Sequence, residues 1–243
     1  MKKPLLQLTG LLSIVALLVA LGTPPPVAQA AFTVGTASTG STTTLSHTVA
    51  AGTDILVVGA MVETAADVNL SATWNGGAMT KFVEEDACGG TVGATLFYLD
   101  SPTAGTHDVV ISGGTINSIR VFAADLDNKN ITDSVGTTQS NFLTHVPSSS
   151  LTTDGTGDGV CFDVRAVNNT GGYTVDSGQT QIVNASSFTA GYTALASYRK
   201  YTAGNDCTMS WTGASAVDIE AVGEWIAEAD ANGGTTMLMG MTF

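Results

Sequence analysis

Two oxygen-rich stretches are where this chain has the side chains for chemistry. Asp125-Leu126-Asp127-Asn128-Lys129-Asn130, followed by Asp133, spaces carboxylates along a loop as a calcium site would, which makes Asp125, Asp127 and Asp133 the candidate ligands. It is not an EF-hand: Lys129 falls where a ligand is required and no Glu stands at the twelfth position. Asp154-Gly155-Thr156-Gly157-Asp158-Gly159 is the second stretch, and its Asp and Gly serve a turn equally well. Calcium is the one cofactor the sequence suggests.

Catalytic patterns are sparse. The histidines are His47, His107 and His145, none within an HExxH, and no G-x-S-x-G is present to build a hydrolase elbow. Glu220, Glu224 and Glu228 would share one face of a strand, so a carboxylate pair for glycoside hydrolysis is geometrically available. In so acidic a chain that ladder fits a solvated face better, and the expectation is a protein that is not an enzyme. Trp74 stands just before Asn75-Gly76-Gly77 and Trp211 just before Thr212-Gly213. At strand ends, each either projects as a glycan-binding platform or folds back over the core. Of the three cysteines, Cys88 and Cys207 lie in polar surroundings, and a Cys88–Cys207 bridge is expected. Cys161 alternates with Asp163 and Arg165, which leaves its facing ambiguous.

Strands must position these residues. Runs rich in Val, Ile, Thr and aromatics recur at 54–62, 68–74, 92–99, 107–112, 116–124, 159–167, 192–201 and 217–227 between Gly, Asn and Asp punctuation. Such spacing predicts an all-β fold, a single β-sandwich of two antiparallel sheets. Asn75-Gly76 predicts a type I′ hairpin. Residues 55–60 are apolar on both faces, so that strand lies centrally, covered by the second sheet on one side and by a loop or a partner on the other. Residues 134–156, rich in Ser and Thr, read as a long connection with a short edge strand near 142–146.

The first thirty residues have the form of a secretory leader. Lys2 and Lys3 precede an apolar run from Leu5 to Leu21, and Ala28-Gln29-Ala30 supplies a cleavage site. The expected organisation is a signal helix over 1–30 and a β-sandwich domain over 31–243, secreted or at the cell surface, with no membrane insertion after cleavage. A retained membrane anchor is the alternative. The formal net charge of −13 deepens to −15 once Lys2 and Lys3 are removed. Phosphate backbones and anionic lipids are repelled by such a surface, which excludes nucleic acid as a natural partner.

Ser46-His47-Thr48-Val49, then 52–59 (GTDILVVG), 74–81 (WNGGAMTK), Leu96-Phe97-Tyr98-Leu99, and Ala104-Gly105-Thr106-His107 resemble a type of bacterial extracellular β-sandwich domain. The resemblance covers about Leu45 to Ala124, with a weaker echo from Tyr192 to Ala227. It implies a concanavalin-like jelly roll and a place among surface, matrix and secreted proteins, and it carries no catalytic residues onto this chain. The functional expectation is an exported structural or adhesive surface protein, acidic and self-assembling, whose partners are itself, other surface proteins or glycans. The uncharged tail 233–243 (GGTTMLMGMTF) would suit strand donation to a neighbour. A carbohydrate-binding module is the alternative.

Overall fold

Residues Ile55 to Val62 are apolar at every position, so burying only one face of that strand would leave the other wet. The fold is the solution to that problem. In a computed structural model of the chain, the described residues are 33–64, 69–85, 92–127, 138–144, 148–151, 159–167, 169–189, 191–201, 207–213 and 217–226. They form ten strands in a first half: β1 (Thr33–Val34), β2 (Ser38–Gly40), β3 (Thr44–Val49), β4 (Ile55–Thr64), β5 (Ser71–Trp74), β6 (Gly77–Ala78), β7 (Thr80–Glu85), β8 (Val92–Asp100), β9 (Gly105–Ser112) and β10 (Ile116–Asp127). Eight follow in a second: β11 (Thr138–Thr144), β12 (Ser148–Leu151), β13 (Gly159–Val167), β14 (Thr174–Val175), β15 (Gln179–Thr189), β16 (Tyr192–Tyr201), β17 (Cys207–Thr212) and β18 (Val217–Ile226).

These strands make four sheets rather than the expected two. The first large sheet runs β1-β10-β4-β8-β7, with β2 also on β10, and the first small sheet runs β3-β9-β5-β6. The second large sheet runs β11-β18-β13-β16-β15 and the second small sheet β12-β17-β14. The single sandwich, and the jelly roll with it, is therefore corrected to two sandwiches joined through their large sheets. The reason is burial: β4 and β13 are buried along both faces, and each needs a sheet on either side. Every element among the described residues is a strand; the expected signal helix falls on residues 1–30, which lie outside the described residues.

The two halves share one topology. The order β10-β4-β8-β7 recurs as β18-β13-β16-β15, and β3-β9-β5 recurs as β12-β17-β14. Alternation along β4 sends Ile55, Val57 and Met61 to the second large sheet, where they meet Val160, Phe162 and Val164. Leu56, Val58, Ala60 and Val62 face the first small sheet and meet Leu45, Trp74, Val109 and Ile111. On β13 the outward positions are Cys161, Asp163, Arg165 and Val167, and the small sheet supplies Cys207, Met209 and Trp211.

Close approach of the two large sheets is set at Gly59, where any Cβ would overlap the Phe122 ring and the Val164 methyl. Phe122 and Phe162 stack across that interface with ring centroids 6.1 Å apart. The Asn75-Gly76 hairpin forms as the sequence predicts, with both residues at positive φ and Trp74 paired with Gly77. Within 134–156, expected to be a long connection with a short edge strand near 142–146, two strands form: β11 pairs with β18 and β12 with β17.

Candidate functional site

His47 and Asp125 lie 78 residues apart in sequence, and the fold brings them together at one end of the first sandwich. β3 alternates, so Leu45, His47 and Val49 turn inward while Thr44, Ser46 and Thr48 face out. On β10, Val121, Ala123 and Asp125 share the face that looks toward β3. His47 Nε2 lies 2.9 Å from Asp125 Oδ1, and Ser38 Oγ lies 2.8 Å from His47 Nδ1. The other Asp125 oxygen accepts the Ala50 N–H at 3.2 Å. With the carboxylate as acceptor of the Nε2 proton, Nδ1 is free to accept from the Ser38 hydroxyl.

A serine, a histidine and an aspartate in sequence form the skeleton of a nucleophile relay. The wiring is inverted, however: in Ser–His–Asp hydrolases the serine meets Nε2 and the aspartate Nδ1. His47 is 4% exposed and is walled in by the edge of Trp74, whose centroid is 6.2 Å away. A groove of about 340 Å³ runs between β2 and β15, lined by Thr39, Gly40, Arg120 and Val183 among others, and Ser38 is not part of its wall. The chemistry this arrangement performs is mechanical: three hydrogen bonds tie β2, β3 and the β3–β4 turn to β10.

A second buried polar network joins the sheets of the second sandwich. Asp163 and Arg165 are fully buried, and Arg165 Nε donates to Asp163 Oδ2 at 3.0 Å. Trp211 Nε1 donates to the same oxygen at 2.9 Å, while the Ser197 backbone N–H reaches Oδ1 at 2.9 Å. Arg165 also donates to the Met209 carbonyl at 3.1 Å. Each charge is paired and hydrogen-bonded, which is the condition for tolerating it in a core.

The expected bridge is corrected by the same face of β13. Cys161 and Cys207 form a disulfide, their Cα atoms 6.5 Å apart and 46 residues apart in sequence. Cys161 shares its face with Asp163 and Arg165, and those charges are buried, so Cys161 points into the small core where β17 places Cys207. Cys207 is therefore not available to Cys88, which lies outside the described residues.

Trp74 and Trp211, the expected glycan platforms, are buried at 2% and 1% exposure. Trp74 Nε1 donates to the Thr103 carbonyl and Trp211 to Asp163, so both tryptophans close cores instead of presenting ring faces. The expected calcium ligands separate. Asp125 is committed to His47 and Ala50, Asp133 lies outside the described residues, and Asp127 sits beside Thr53 and Asp54. Burial, foremost, together with the charges of Asp54 and Asp125, pushes the Asp127 carboxyl above its ordinary range, partly opposed by hydrogen bonds from Asp54 and Thr53. Among the described residues, no three His, Cys, Asp or Glu side chains converge as a metal cluster. Glu220 and Glu224 lie on β18 in register with Arg165 and Cys161, and Glu228 lies outside the described residues.

Compared with known proteins, the chain matches no family model, no curated protein and no solved structure. Its functional reading has to come from its own surfaces.

Proposed function

We propose that this chain is an exported, non-catalytic adhesive protein of the cell surface that binds neutral polysaccharide through the outer face of its first small sheet. The observation that carries the reading is the composition of that face. Thr44, Ser46 and Thr48 of β3, Thr106 and Ser112 of β9 and Ser71 of β5 are all exposed, and Asp108 is the one charged side chain among the described residues there. In a chain of net charge −13, a face this poor in charge stands out.

Strand pairing fixes the hydroxyls in rows about 4.8 Å apart across the sheet and about 6.7 Å apart along each strand. Thr48 and Thr106 face each other across β3 and β9 with their hydroxyls 2.7 Å apart. β-branched threonines hold few rotamers, so little side-chain freedom is lost when a ligand's hydroxyls bond to them. Export agrees with the Cys161–Cys207 disulfide, which an oxidising compartment favours. Self-association by strand addition is disfavoured at two sheet edges: β7 is bulged and carries Lys81, Glu84 and Glu85, and the register of β15 shifts twice.

The test is adsorption of the purified protein to insoluble cellulose and chitin, beside the Ser46→Glu and Thr106→Glu variants. Saturable adsorption that falls at least tenfold in both variants is expected. Wild-type protein that stays in solution, or variants that adsorb equally, would overturn the reading.

A further inference from the structure

Independently of the adhesive reading, we propose that the groove between β2 and β15 binds a carboxylate-bearing sugar, a uronate, on the guanidinium of Arg120. The groove encloses about 340 Å³, the size of a small-ligand site. Its walls are two sheet edges: among the described residues β2 pairs only with β10, and β15 ends its sheet beside β16. On the β2 side, Thr39 pairs with Phe122 and Gly40 with Val121, so the register carried one residue further sets Ser41 opposite Arg120. Paired residues share a face, and alternation puts Arg120 and Phe122 on the same one, which turns Thr39 and Arg120 toward the second large sheet. On the β15 side, Gln181 lies opposite Ser197 and Val183 opposite Ala196, so Ile182 is the extra residue of a bulge.

Arg120 is an unspent cation. Its Nη1 donates to the neighbouring Ile119 carbonyl at 3.1 Å, and no carboxylate pairs with it among the described residues. Lys81 and Arg165, by contrast, each sit on an acid. Of the chain's 21 acidic side chains, none among the described residues lines this groove. The remaining N–H groups of the planar guanidinium match the two oxygens of a carboxylate. The exposed hydroxyls of Thr39 and Ser41 beside it suit sugar hydroxyls, and half-buried Ile182 and Ala185 supply apolar surface for the C–H face of a pyranose ring. A peptide carboxylate fits less well. β2 is three residues long and β15 is interrupted at Ile182, so neither edge offers a regular ladder to an added strand.

Full-length protein would be titrated by isothermal calorimetry with glucuronate and with oligogalacturonate, beside glucose and a short peptide ending in a free carboxylate. Saturable uronate binding at millimolar concentration or below is expected, weakening as salt is raised, with glucose and the peptide at least tenfold weaker. The tighter of the two uronates tells whether the groove takes a free sugar acid or a residue of an acidic polysaccharide. Arg120→Met keeps the aliphatic stem and should lower uronate affinity at least tenfold. Ser41→Glu, at an exposed position outside the core, should do the same by repelling the carboxylate. Ser46→Glu, on the adhesive face, should bind uronate as wild type does. Absence of uronate binding by the wild type, glucose or peptide bound as tightly, unchanged affinity in Arg120→Met or Ser41→Glu, or lost affinity in Ser46→Glu would each overturn the proposal.

Discussion

Asp163 and Arg165 form a fully buried ion pair on the face of β13 toward its small sheet, whereas the corresponding face of β4 carries Val58 and Ala60. The same topology has thus been filled in two ways, once with aliphatic side chains and once with a charged network that links β13, β16 and β17 through Ser197, Trp211 and Met209. Removing one partner strands the other in a dry core. Asp163→Asn and Arg165→Met are each expected to destabilise the fold by about 3–5 kcal/mol, with the double variant costing clearly less than the sum. Urea unfolding of the four proteins measures both.

Closing 46 residues with the Cys161–Cys207 bridge removes freedom from the unfolded chain worth about 4 kcal/mol. The Cys161→Ala/Cys207→Ala variant should lose stability on that scale in denaturant. Because Cys161 and Cys207 are both 0% exposed, wild-type protein under native conditions should resist reductant and yield its thiols only as it unfolds. Thiol titration with and without urea checks this.

For Asp127 the pH dependence has a definite sign. Burial raises its folded carboxyl above the ordinary value of 3.8, so it contributes stability that is complete below that pH and is lost as pH rises through the folded value. Asp127→Asn should therefore raise Tm at pH 7 and leave it nearly unchanged at pH 3. The charged groups around it are Asp54 and Asp125, with His47 paired to the latter.

The Ser38–His47–Asp125 relay is expected to behave as a clamp. Ser38→Ala removes one hydrogen bond and should cost about 1 kcal/mol, whereas Asp125→Ala frees both His47 Nε2 and Ala50 N–H and should cost about 2–3 kcal/mol. A fluorophosphonate probe should leave Ser38 unlabelled. Labelling that depends on His47 would show a nucleophile instead.

Much of the strand layout was legible because alternation and turn chemistry are local. Gly159–Val167 and Tyr192–Tyr201 match the apolar runs, and Asn75-Gly76 marks its own turn. Alternation also shows that β4 is apolar on both faces, but it cannot say what covers the second face, and there a whole sheet replaces the expected loop. The recurrence of topology is nearly silent in sequence, since the face that β4 fills with Val58 and Ala60 holds Asp163 and Arg165 on β13. A visible echo is Thr103-Ala104-Gly105 entering β9 and Thr202-Ala203-Gly204 preceding β17 in sequence. The disulfide was hidden because Asp163 and Arg165 leave the facing of Cys161 ambiguous in sequence. Ser38, His47 and Asp125 share no common motif and meet only because β2 and β3 converge on β10.

The central claim is that the hydroxyl-bearing face of the first small sheet is a binding surface. Threonine-methyl NMR during titration with soluble cello- and chito-oligosaccharides tests it most directly. Saturable shifts are expected at Thr44, Thr48 and Thr106, with buried Thr95 and Thr193 on the large sheets unmoved. Unshifted Thr44, Thr48 and Thr106 at millimolar oligosaccharide, or shifts confined to other faces, would contradict it.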